Sequence, residues 1–66
     1  IMTEIEQKFK VGDIVTLKSG SPKMTVAKIV ISEKTKMPNG YIKCTWFVNT
    51  SLNNNDFNQD TLELVT

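Results

Sequence analysis

Residues 9–26, FKVGDIVTLKSGSPKMTV, leave this chain few ways to fold. Gly12-Asp13 is a turn pair. Ile14, Val15 and Leu17 surround Thr16, which is the composition of a half-buried strand. Ser19-Gly20-Ser21-Pro22 then breaks that strand. Gly20 takes a positive φ without steric cost, while Pro22 fixes its own φ and has no N–H to offer a ladder. From Met24 the chain resumes in Val, Ile and Thr. The stretch therefore predicts two strands joined by a loop longer than two residues.

The rest of the chain continues in the same idiom. The first strand is expected over residues 13–18 and the second over 24–33. The second has two nearly apolar faces, Met24, Val26, Lys28, Val30 and Thr25, Ala27, Ile29, Ile31. It is expected to be central, or long enough to bend between half-sheets. Residues 32–40 read as a loop closing on Asn39-Gly40, which signals a turn or a bulge. A third strand is expected over 41–48, with Ile42, Cys44, Trp46 and Val48 facing the core and Tyr41, Lys43, Thr45 and Phe47 facing away. Asn49-Thr50 turns the chain into a weak strand over 51–57. Asn58 then caps a single helical turn over 58–61, and residues 62–65 close as a short strand.

Specific residues carry a further resemblance. Phe9, Val11-Gly12-Asp13, Val15, Leu17-Lys18-Ser19-Gly20, Pro22 and Met24-Thr25-Val26 resemble the opening of the YodC family of uncharacterised small bacterial proteins. Tyr41, Cys44, Trp46-Phe47, Phe57 and Leu62-Glu63-Leu64-Val65 continue the match, which spans residues 9–65. Residues 32–39 look long for that family, and residues 51–56 are rich in Asn. The resemblance implies an SH3-like barrel and carries no activity with it. The order of strands read above is also that of an SH3-like barrel. The expectation is thus an all-β fold, a small SH3-like barrel of about five antiparallel strands with one short helical turn before the last. Residues 1–8 are expected to be a polar, weakly helical lead-in and residues 9–66 one domain. Ile1 reads as an added residue ahead of Met2 as the natural start.

Composition excludes several kinds of chemistry. The chain has no His, which removes the commonest general base and neutral metal ligand. With one Cys and no His, a monomer holds neither a zinc site nor an internal disulfide, and a reducing, cytoplasmic compartment is expected. Asn53, Asn55, Asp56, Asn58 and Asp60 are rich in oxygen, but the turn glycine and closing Glu of a calcium loop are missing. Asp56 and Asp60 read as solvated surface acids. No catalytic residue, metal or cofactor is assigned, and the chain is read as a non-enzyme. It contains no apolar run of the ~20 residues that a membrane-spanning helix needs.

Two kinds of partner remain. The preferred reading is protein–protein contact or self-association through the Pro22–Met24 turn and the aromatics Tyr41, Trp46 and Phe47, since exposed apolar residues mark interfaces. The alternative is weak RNA or single-stranded DNA binding by Lys18, Lys23, Lys28 and Lys43 beside Tyr41 and Phe47. The opening Val-Gly-Asp-x-Val is also similar to KOW modules of transcription and ribosomal proteins. Against that alternative, all eight basic residues are Lys and the net charge is only +1. Arg supplies the bidentate phosphate and base contacts that dedicated binders use.

Overall fold

The computed structural model describes residues 6–65; the expectations for residues 1–5, including the reading of Ile1 and Met2, lie outside the described residues. Five strands form one antiparallel sheet: β1 (Ile14–Leu17), β2 (Met24–Ile31), β3 (Pro38–Val48), β4 (Ser51–Asn58) and β5 (Leu62–Leu64). A single 3-10 turn, Gln59–Thr61, separates β4 from β5. The sheet order is β4-β3-β2-β1-β5, so each strand lies beside its neighbour in sequence except β5, which returns to β1. β4 and β5 are the two edges and do not pair with each other; the sheet is open.

The turns follow from their residues. Gly20 takes φ +105° and donates its N–H to the Leu17 carbonyl at 2.9 Å, closing the turn after β1. A Cβ there would meet nothing within 4 Å, so backbone conformation alone selects glycine. Ser21 accepts the Leu17 N–H at 3.0 Å and braces the same loop. Asn58 caps the 3-10 turn, its side-chain oxygen accepting the Asp60 N–H at 2.9 Å.

Two irregularities shape the centre of the sheet. Val26 pairs with Cys44 and Lys28 with Lys43, so Ala27 is one extra residue on β2. Farther along, Ile29 pairs with Ile42 and Ile31 with Pro38, which leaves the extra residues on β3 around Asn39-Gly40. Asn39-Gly40 is therefore a bulge inside β3, with Gly40 at φ +87°. The chain reversal lies earlier, in residues 32–37, where Lys36 takes φ +61° and donates to the Ser32 carbonyl at 2.8 Å. The expected loop 32–40 thus ends at Met37. Pro38 begins β3, a position that tolerates its missing N–H.

The core is small: Val15, Met24, Val26, Ile42, Cys44 and Leu62 are buried, and Phe9, Leu17, Ile29, Trp46 and Phe57 pack around them. Each fully buried aliphatic side chain contributes about 1.5–3 kcal/mol. With so few of them, none is expendable. Trp46 and Phe57 meet at 5.9 Å between ring centroids, tilted by 55°. Val48, expected in the core, is 50% exposed. β2 pairs with β3 only as far as Thr25↔Thr45, so the end of the β3–β4 hairpin has no strand behind it.

Gln59 is the one buried polar residue among those described, and it is fully engaged. Its amide donates to the Glu6 carbonyl at 2.7 Å, and its oxygen accepts the Lys8 N–H at 3.1 Å. Over residues 6–10 the chain is neither helical nor strand, and this clip holds it against the 3-10 turn. Lys8 Nζ adds an ion pair to Asp60 at 2.7 Å.

Candidate interaction surfaces

Three of the nine large hydrophobic residues exposed among those described, Phe47, Val48 and Leu52, lie at one end of the sheet. Phe47 pairs across the hairpin with Leu52, and the two are 67% and 58% exposed. Val48, 50% exposed, follows on the opposite face of the strand, and Asn49 turns the chain with φ +57°. β2 is antiparallel to β3 and starts level with Trp46, so the β1–β2 loop and its exposed Pro22 share this end. An exposed cross-strand aromatic–aliphatic pair at a hairpin end adds only about 0.2–1 kcal/mol to the sheet and leaves most of its apolar surface in water.

The five residues expected to form the protein contact do not all meet. Pro22 and Phe47 are exposed at the apolar end. Met24 is buried at 2% in the core, because it faces inward beside Val15, and so it leaves the surface. Trp46 faces inward onto Phe57, whereas Tyr41 and Phe47 lie on the opposite face. Tyr41 is exposed, but six residues of strand, roughly 20 Å at ~3.3 Å per residue, separate it from Phe47. Val48 and Leu52 complete the apolar end and were missed. Val48 reads as core by alternation, and Leu52 reads as the anchor of a weak strand.

The four lysines of the alternative reading split into two pairs. Lys18 and Lys23 flank the β1–β2 loop. Lys28 and Lys43 are directly opposite each other on β2 and β3. About 15 Å of β2 separates Lys23 from Lys28. Beside the second pair is a cleft of ≈ 380 Å³ lined by Lys28, Lys36, Lys43, Ser32, Glu33 and Asp56 among others. Asp56 is the β4 partner of Lys43. Among the described residues, Lys8–Asp60 is the only ion pair, so none of these cleft lysines has a carboxylate within 4.0 Å.

The remaining chemistry is muted. Cys44 is buried, and its burial, with a smaller contribution from the Asp56 charge, raises the thiol pKa and keeps it protonated. Among the described residues, no three His, Cys, Asp or Glu side chains come together as a metal site would need. No helix among them is long and apolar enough to cross a membrane.

No curated protein and no solved structure matches the chain. The family model described as "Uncharacterized small protein (DUF2158)" matches residues 10–62, from the lead-in to β1 through the first residue of β5. This chain, whose buried core residues all lie within that span, belongs to that family of uncharacterised small proteins.

Proposed function

We propose that the protein is a cytoplasmic, non-enzymatic binding module, an SH3-like member of the YodC-like group, that grips a protein surface or a second copy of itself. The β4-β3-β2-β1-β5 order, with a 3-10 turn leading into the strand that returns to β1, supports the SH3-like reading. The observation that carries the functional reading is the exposed Phe47–Leu52 pair at the hairpin end, with Val48 and Pro22 exposed at the same end of the sheet. A monomer gains nothing from keeping these side chains in water. A partner that covers them gains about 25 cal/mol for each Å² of apolar surface removed from solvent.

The test is a double variant, Phe47→Ser with Leu52→Ser. Sedimentation analysis and capture from native lysate are read at low and high salt, with nuclease added. The wild type should self-associate or retain one protein under every condition, since apolar contact is not screened. The variant should lose that association with its thermal midpoint little changed, because both side chains are already exposed. A monomer that captures nothing, or captures only nuclease-sensitive material, removes this reading.

A further inference from the structure

The extra residue at Ala27 does more than bend β2. Side chains alternate faces along a strand, so without an insertion Lys28 would share the inward face of Val26. The bulge shifts the phase by one. Ile29 then faces Ile42 in the interior, and Lys28 turns outward, directly across from Lys43. Bulges often re-aim a side chain in this way beside a site. Like charges directly opposite each other in a sheet are destabilising; Asp56 is the β4 neighbour of Lys43, but no carboxylate among the described residues comes within ion-pairing distance of either lysine. Lys36 joins them at the same cleft from a turn in which it holds φ +61°. Lys28, Lys36 and Lys43 thus line one concavity together with two carboxylates, Glu33 and Asp56, and among the described residues none of the five forms an ion pair.

We infer that this cleft is a binding site for a small phosphomonoester bearing hydroxyl groups, of the sugar-phosphate type. Its phosphate is held between Lys28 and Lys43, with Lys36 at the rim. The volume of ≈ 380 Å³ suits a compact ligand. Glu33 and Asp56 line the same cleft and decide between ligand classes. They repel a continuous polyphosphate backbone but accept hydrogen bonds from hydroxyl groups beside a single phosphate. Lys18 and Lys23, at the far end of β2, extend no basic track from the cleft that a nucleic-acid strand would follow. The site is independent of the apolar hairpin end, so either proposal can fail alone.

The test uses three probes on the full chain: ribose 5-phosphate, inorganic phosphate and single-stranded oligouridylate, followed by calorimetry and amide shifts. Ribose 5-phosphate should bind about tenfold more tightly than inorganic phosphate, as added charge-assisted hydrogen bonds require. Glu33→Gln with Asp56→Asn should erase that preference. Lys28→Glu should lower ribose 5-phosphate affinity about tenfold or more while raising the thermal midpoint, since it replaces a like-charge pair by an opposite one. Lys43→Ser should lose binding in the same way, and Lys18→Ala with Lys23→Ala should change nothing. Three results overturn the proposal: no ribose 5-phosphate binding at millimolar concentration, equal affinity for the two small probes, or tighter oligouridylate binding that depends on Lys18 and Lys23.

Discussion

Asp60 and Lys8 form an ion pair 2.7 Å long between exposed side chains. The hydrogen bond from Lys8, then its charge, holds the Asp60 carboxyl below its ordinary range, and the same contacts raise Lys8. A depressed carboxylate contributes stability that is complete above its unfolded pKa of about 3.9 and is lost as pH falls through the lower folded value. A raised lysine contributes stability that is complete below about 10.4 and is lost as pH rises through the higher folded value. The stabilisation is therefore a plateau with two shoulders. Asp60→Asn should lower the thermal midpoint slightly and evenly across neutral pH, and the difference from wild type should close in acid as the wild type loses the same contact. High salt should shrink it throughout. From sequence Asp60 reads as a solvated surface acid, because its partner is fifty-two positions away. Gln59 was illegible for a related reason. Polar residues read as exposed, and its burial is created by the backbone of Glu6 and Lys8, which no local pattern announces.

Among the elements, strand positions were largely legible, because Val, Ile and Thr runs bounded by Gly, Pro and Asn leave few alternatives. What the pattern hid was phase. β2 presents two apolar faces to any simple alternation, and only the insertion at Ala27 sorts them into an inward set of Met24, Val26 and Ile29 and an outward Lys28. A bulge without glycine has no compositional signature. Asn39-Gly40 does have one, but it fits a turn and a bulge equally well, and the pairing of β2 with β3 decides for the bulge. Ala27 is the extra residue, so neither its identity nor its presence should be critical. Ala27→Ser, on an exposed side chain, should change stability by no more than about 0.5 kcal/mol. Deleting Ala27 leaves Val26, Lys28 and Ile29 opposite Cys44, Lys43 and Ile42 in plain alternation, so Lys28 stays outward and Ile29 inward, and the variant should still fold with one cooperative melt. Circular dichroism melts of the two variants check both statements.

At the scale of the whole molecule, the meander and the return of the last strand to the first could be anticipated, whereas the open gap between β4 and β5 could not, since edges are decided by curvature rather than by composition. The same holds for the candidate surfaces. The exposed aromatics were visible in sequence, but their division between two faces and two ends of β3 depends on register. The clip at Gln59 has a mechanical consequence. Leu64 of β5 lines the same cleft as Gln7–Lys10, so the described residues begin and end at one place. Tension between these ends falls first on two side-chain hydrogen bonds, one exposed ion pair and a three-residue strand, not on the long ladders of β2 with β3 and β3 with β4. Such an arrangement unzips from its ends rather than shearing. Pulled by its termini in a single-molecule trap, the domain should yield at low force in two steps, β5 with the lead-in first and the β2–β3–β4 meander afterwards. Handles attached at Lys28 and Leu52 should find it much stiffer.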